Sequence, residues 1–171
     1  MKMIAAVVVA GVLLVPVSNA HSQGAGHSFS VQAADISGDP TGAVLFSGGG
    51  HFDPLSGALR GGGHFRCTRD IDQGPLTGCK AGEGVRWEAV SILPSTGFSC
   101  TGSPAEPVKT VVTDGNTIAM QVNFFREGDG AIKSFTARVF ISADDEDSDR
   151  PGIQNVWIAG VGCGEARVNI R

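Results

Sequence analysis

Apolar and polar residues alternate with a period of two along most of the chain. Phe29, Val31 and Ala33 share one face of the segment "FSVQAAD", and Trp87 and Ala89 share one face of "GVRWEAVSIL". Runs of this kind, separated by turns rich in Gly and Pro, are typical of half-buried β-strands. No segment keeps a helical period over three turns. The pattern therefore predicts an all-β chain of roughly eight to ten strands.

Two turn sequences join some of these predicted strands into hairpins. Asp114-Gly115 separates "VKTVVT" from "TIAMQVNFF", and this dipeptide is among the strongest hairpin signals. The sequence "EGDG" then separates the second of these strands from "AIKSFTARVFIS". Because hairpins pair strands antiparallel, we expect residues 28–171 to form a single domain, a mostly antiparallel β-sandwich or β-barrel.

The pentapeptide Gly-Gly-Gly-His-Phe occurs twice, on either side of the segment Asp53–Gly57 and its neighbours. That segment has Asp first, Pro second and Gly last, which indicates a tight turn. The two copies should therefore form one antiparallel hairpin. Its turn position sets a register in which His51 lies opposite residue 60 and His64 lies opposite residue 47.

This register separates the two repeated histidines. They would lie about four residues apart along the ladder, or ~13 Å, whereas two ligands of one metal ion need nitrogens ~3–4 Å apart. Neighbours on a strand point to opposite faces, so Phe52 and Phe65 in the core place His51 and His64 outside. The Gly triplets indicate close packing, a bulge or a barrel corner, and less commonly a groove that admits a ligand.

The first residues, "MKMIAAVVVAGVLLVPVSNA", have the features of an export signal. A lysine precedes an apolar run that is short for a membrane span, and small residues precede Ala20. We expect cleavage after Ala20, a flexible segment over residues 21–27 and a secreted or periplasmic protein; an uncleaved anchor is the alternative.

Removal of residues 1–20 takes away one lysine, which leaves 12 basic and 17 acidic side chains and a net charge of −5. Such a charge argues against nucleic acid or an anionic membrane as partner.

The four cysteines predict two disulfides, because an even number in an exported chain is typical of a bridged domain. Three connectivities are possible. We favour Cys67–Cys79 with Cys100–Cys163, since the short loop closes easily. A four-cysteine metal site is the alternative, although the spacing fits no common zinc finger.

The residue types in two segments could act as metal ligands. Cleavage after Ala20 makes His21 the N-terminus, where its amine and ring could chelate copper together with His27, His51 or His64. The segment "SADDEDSDRPG" carries Asp145, Asp147 and Asp149 at the spacing of a calcium loop.

The calcium pattern is incomplete beyond its carboxylates. Arg150 stands where a calcium loop needs Gly, and Val156 stands where it needs a bidentate Glu. A solvated acidic connection after a strand is the plainer interpretation of this run.

No arrangement of catalytic residues stands out. The segment "FSCTG" only approaches the Gly-x-Ser-x-Gly sequence of a nucleophile elbow. Carboxylates for acid–base work could come from Glu83, Glu88, Glu127 and Asp129, but the last two fall in a predicted turn and Glu88 on the polar face of a predicted strand.

Four segments, "GGGHFRC", "QGPLTG", "AGEGVRWEAV" and "PGIQNVWIAGVGCG", resemble parts of secreted bacterial β-rich proteins that have no assigned activity. The resemblance covers about residues 40–171. It implies export and a single domain, and it carries over no functional residue.

Taken together, these features predict a secreted, disulfide-stabilised, non-enzymatic binding or structural module for an extracellular ligand or protein. A secreted copper protein or enzyme that uses His21 is the alternative. Trp87 and Trp157 lie among apolar neighbours, so we expect both in the core rather than on a binding surface.

Overall fold

The computed structural model describes residues 26–39, 41–126 and 133–171. Within these ranges the chain forms eleven strands, paired antiparallel throughout, and no helix that could cross a membrane. The strands are β1 (His27–Gly38), β2 (Ala43–Asp53), β3 (Ala58–Arg69), β4 (Arg86–Leu93), β5 (Ser95–Phe98), β6 (Lys109–Val112), β7 (Thr117–Phe125), β8 (Phe135–Ser142), β9 (Val156–Ile158), β10 (Gly162–Gly164) and β11 (Ala166–Ile170). The predicted all-β, antiparallel fold is confirmed.

Eight of the strands close into a barrel, the second of the two predicted architectures. Their order is β10-β9-β8-β7-β4-β3-β2-β1, and β1 returns to β10 through the pairs Ser37–Cys163 and Gly38–Gly162. β11 continues along the same edge of β1 and pairs with residues 29–33. The C-terminal segment therefore completes the wall of the barrel.

The interior of the barrel is filled by apolar side chains. Its inward-facing residues belong to a single cluster, and the large members are each 4% exposed or less. These large members include Phe29, Phe46, Phe52, Phe65, Trp87, Met120 and Phe124. A barrel of eight strands is just wide enough for side chains to fill it, so this interior is a core rather than a container for a ligand.

A small second sheet covers one side of the barrel. β5 and β6 pair with each other, and the ring of Phe98 at the end of β5 lies 4.8 Å from that of Phe140 on β8. Phe140 and Trp157 are consequently buried although they point away from the barrel interior. The Cys100–Cys163 disulfide fastens this cover to β10. The strands β7 to β10 are thus packed on both faces.

The repeated segments form the predicted hairpin in the predicted register. His51 lies opposite Arg60, and His64 lies opposite Ser47. Both histidines are exposed, while the phenylalanine after each is buried. The Asp53 carboxylate fixes the turn by accepting a 2.9 Å hydrogen bond from the Leu55 N–H.

The Gly triplets allow an indole ring to approach the backbone closely. Gly48 and Gly63 are paired on β2 and β3, and a Cβ atom at either would lie 2.7–2.8 Å from the Trp87 ring. That ring stacks on Phe46 at 4.8 Å and donates a 3.0 Å hydrogen bond to the Ser47 carbonyl. Close packing, the commoner explanation of such glycines, therefore accounts for these two.

The predicted hairpin at Asp114-Gly115 is wrong in its pairing. β6 pairs with β5, whereas β7 pairs with β4 and β8. The turn itself forms, since Asp114 Oδ1 accepts hydrogen bonds from the Asn116 and Thr117 N–H groups. However, the chain before the turn lies on the cover and the chain after it lies in the barrel wall. The second predicted hairpin, β7–β8, is confirmed, and its "EGDG" turn lies outside the described residues.

Candidate functional site

The side of the barrel away from the cover presents four neighbouring strands, β11-β1-β2-β3, with their outward residues exposed to solvent. We call this surface the basic face and define it by its cationic and imidazole side chains. These are His51, Arg60, His64, Arg66, Arg167 and Arg171.

The strand register arranges most of the basic face in three rows that cross the strands, and Arg66, opposite Leu45, lies one row beyond them. Outward residues two apart along a strand lie ~7 Å apart, which sets the distance between neighbouring rows. The first row contains Arg171, Ser28, His51 and Arg60. The middle row contains Asn169, Ser30, Gly49 and Gly62. The third row contains Arg167, Gln32, Ser47 and His64.

The arginines of the basic face have no carboxylate partner among the described residues. β3 and β11 contain no Asp or Glu, and the acids of the other two strands, Asp35 and Asp53, lie near or at strand ends. The Asp53 carboxylate is also occupied, because hydrogen bonds from Ser56 and Leu55 in its own turn lower its pKa. The face is therefore positively charged on a protein whose net charge is negative.

Four of the described cations outside the basic face are paired with carboxylates, whereas Arg69, Lys133, Arg138 and Arg150 form no salt bridge. Lys80 lies 3.0 Å from Asp70, Arg86 contacts Glu88, Lys109 contacts two aspartates, and Arg126 lies 3.5 Å from Glu83. These pairs also account for Glu83 and Glu88, two of the four carboxylates considered for catalysis; Glu127 and Asp129 lie outside the described residues.

Three adjoining shallow depressions open above β1 and β11. The largest, of about 610 Å³, lies at the edge of the basic face, where Asp35 and Glu165 line it together with Arg167. The other two lie along the middle row. The larger, of about 510 Å³, is bounded by Ser30, Gln32, Ser47, Arg167 and Asn169, together with backbone. The smaller, of about 190 Å³, continues from Ser30 and Asn169 to Arg171. Asn169 and Ser30 of the middle row line both of these depressions, and the row continues through Gly49 and Gly62, which have no side chains. We call the middle row, between its two flanking rows, the trough.

The acidic loop after β8 is organised around a lysine. Asp147 is 2% exposed and contacts the Lys109 ammonium, and Asp149 Oδ2 lies 2.6 Å from the same nitrogen. The hydrogen bonds to Asp147 and Asp149 raise the pKa of Lys109, and the bond from Lys109 lowers the pKa of Asp149. Asp145 points elsewhere and accepts hydrogen bonds from the backbone N–H groups of Asp147 and Gln154.

The three aspartates are therefore close in the chain but have separate partners. The structure brings Asp147 and Asp149 together around an ammonium group, and Asp145 holds the loop. Calcium binding at these residues stays a hypothesis.

Replacement of Lys109 by Met should destabilise the protein more than replacement of Lys80 by Met. Lys109→Met leaves a buried carboxylate without its partner, whereas Lys80 and Asp70 are about half exposed and contribute little. The folded-state pKa of Asp149 is depressed below 3.8, so its share of the stability exists above that pH and is lost as the pH falls further. Urea denaturation should show a clearly lower free energy of unfolding for Lys109→Met than for the parent at neutral pH, and this difference should become smaller in acid. The free energy of unfolding of Lys80→Met should be almost that of the parent. Equal losses for the two variants would contradict the pairing.

Potential metal ligands meet at one other place within the described ranges. Cys100, Glu106 and Asp147 have ligand atoms within 4.8 Å of one another. Cys100 is bonded to Cys163, and Glu106 accepts hydrogen bonds from the backbone N–H groups of Cys100 and Thr101. The copper hypothesis rests on His21, which lies outside the described residues.

The histidines offered as copper partners are on or beside the basic face. His27 is half-buried, with its ring 5.3 Å from that of Phe52. The His64 Nδ1 lies 3.2 Å from the Val85 carbonyl. His51 and His64 are separated by the hairpin register.

The disulfides follow the pairing preferred from the sequence. Cys67 is bonded to Cys79 and Cys100 to Cys163, and no free cysteine remains.

Comparison with known proteins adds no function, since no family model, curated protein or solved structure matches this chain. The resemblance to secreted bacterial β-rich proteins stays a prediction.

The basic face is the feature that the sequence analysis missed. A usable signal is present in "ALRGGGHFRCTR", which has three arginines, one histidine and no acid in a chain that is acidic overall. The contribution of Arg167 and Arg171 becomes visible only when β11 is placed next to β1.

Proposed function

We propose that this protein is an exported, non-enzymatic binding module that binds an anionic partner through the basic face. The single observation that carries the proposal is a group of exposed arginines on four adjacent strands, without carboxylate partners in the described structure, on a protein whose net charge is negative. The filled interior supports it, because a ligand inside the barrel would have to displace core side chains.

Export is the second part of the proposal. The apolar leader ending in "SNA" favours it, and two disulfides agree with an oxidising compartment. Mass spectrometry of the exported protein should find His21 as the first residue. Retention of residues 1–20 in the mature protein would contradict cleavage after Ala20.

Retention on a sulfonated cation exchanger tests the basic face. An evenly charged protein with net charge −5 should pass through such a resin at neutral pH, but a local positive surface should be retained at low salt and released as salt screens it. The double variant Arg60→Gln/Arg66→Gln should elute much earlier than the parent.

The matched control is Lys80→Gln/Lys133→Gln. It removes the same charge from loops outside the four strands of the basic face and should elute almost with the parent. If the two double variants elute together, net charge alone governs retention and the basic face is not a binding surface.

A further inference from the structure

The trough on the basic face has a floor without long side chains. Gly49 and Gly62 have none, and the other members of the middle row are Ser30 and Asn169. Four strands, with neighbours ~4.8 Å apart, give this floor a length of ~14 Å. The trough crosses the strands, so it suits an extended chain better than a compact molecule.

The glycines of the floor are also required by the fold. A Cβ atom at Gly62 would lie 2.9 Å from the Trp87 carbonyl on β4, and one at Gly49 would overlap the backbone of β1. Glycine alone is therefore no sign of a ligand here. Because the fold requires glycine at these two positions, the trough is a permanent feature of the barrel wall.

The polar groups along the trough are of two kinds. Ser30, Gln32, Ser47 and Asn169 offer hydroxyl and amide groups, which both donate and accept hydrogen bonds. Arginines stand at three of the four ends of the flanking rows and His64 at the fourth. A guanidinium binds a carboxylate through two parallel hydrogen bonds. A matching ligand carries many hydroxyl groups and a carboxylate at intervals.

Other anionic macromolecules match this surface less well. Single-stranded nucleic acid is bound by stacking on exposed aromatic rings, whereas both tryptophans here are buried at 1% and 4% exposure. Protein partners usually insert an apolar or aromatic anchor, and the outward residues of the four strands include a single large apolar side chain, Leu45, which is 38% exposed.

From these observations we infer that the ligand of the basic face is an acidic polysaccharide, with its chain lying in the trough and its carboxylates on the arginines of the flanking rows. This inference rests on the proposed function, since it names the ligand of the same surface.

The test is equilibrium binding of the mature protein to fluorescently labelled polymers at low salt. Polygalacturonate should bind, and neutral dextran should not. Polyglutamate, which has carboxylates without hydroxyl groups, should bind about tenfold more weakly than polygalacturonate, as should single-stranded DNA.

Asn169→Ala should weaken polygalacturonate binding up to about tenfold, and Arg60→Gln/Arg167→Gln should abolish it. The control Lys80→Gln/Lys133→Gln should bind like the parent.

The outcomes separate this inference from the proposed function. If polyglutamate or DNA binds as tightly as polygalacturonate, or if polygalacturonate does not bind while the resin still distinguishes the two double variants, the polysaccharide inference is overturned and the binding face stands. If no polymer binds and the resin does not distinguish the variants, both are overturned.

Discussion

Removal of the Cys100–Cys163 disulfide by the double variant Cys100→Ala/Cys163→Ala should lower the free energy of unfolding by about 4 kcal/mol. This bridge joins residues 63 apart in sequence, so without it the unfolded chain gains the freedom of a long loop. It also connects the β5–β6 cover to β10, and both cysteines are buried.

The Cys67–Cys79 bridge is the matched control. Its residues are 12 apart and equally buried, so Cys67→Ala/Cys79→Ala should cost about 3 kcal/mol by the same loop argument. Urea denaturation of the two double variants gives the comparison directly. A loss of unfolding free energy for the short bridge that equals or exceeds the loss for the long one would contradict the argument from loop length.

Replacement of Phe65 by Ala should cost ~3–5 kcal/mol, whereas replacement of His64 by Gln should change stability by no more than about 0.5 kcal/mol. Phe65 is 1% exposed, and its ring packs edge-on against that of Phe124 with centroids 5.0 Å apart. The neighbouring histidine is exposed on the opposite face of β3. Comparison of the two variants therefore measures how much a buried and an exposed side chain of the same strand contribute to stability.

Zinc or copper should not stabilise the parent through His51 and His64, because the hairpin register keeps their side chains apart. The measurement is denaturant unfolding of each single His→Gln variant and of the double variant, with and without metal. Strong stabilisation by metal that either substitution abolishes would show that the two histidines share a site after all.

Local signals were sufficient for the part of the fold that depends on local geometry. The β2–β3 hairpin could be predicted residue by residue because the Asp53–Gly57 turn fixes its register and the alternation assigns its faces. The disulfide pairing was favoured for a similar reason, since Cys67 and Cys79 are close in sequence.

Turn sequences and apolar alternation did not predict strand pairing correctly where strands distant in sequence compete for a partner. The turn at Asp114 forms as predicted, yet β6 pairs with β5 because both belong to the cover. A bulge between Ala89 and Ser91 changes the phase of alternation in β4, so that Val90 is 52% exposed. The C-terminal segment divides into three strands. Gly160 and Gly162, both with positive φ, turn the chain from β9 into β10, and β11 begins after Glu165.

The candidate site could not be found by motif for a related reason. Its middle row combines residues from β11, β1, β2 and β3, which are distant in sequence, and none of them forms a recognisable motif. What makes the surface a candidate is that β3 and β11 contain no acidic residue and that the acids of β1 and β2 lie near strand ends, an arrangement that depends on strand order.

The most direct measurement of where this protein binds is an NMR titration of the isotope-labelled mature protein with polygalacturonate oligomers. We expect the largest amide shifts at Ser30, Gly49, Gly62 and Asn169, with smaller shifts at Arg60 and Arg167 and none at the cover strands β5 and β6. Shifts confined to the acidic loop around Asp147, or spread over the buried core, would contradict the assignment of binding to the basic face.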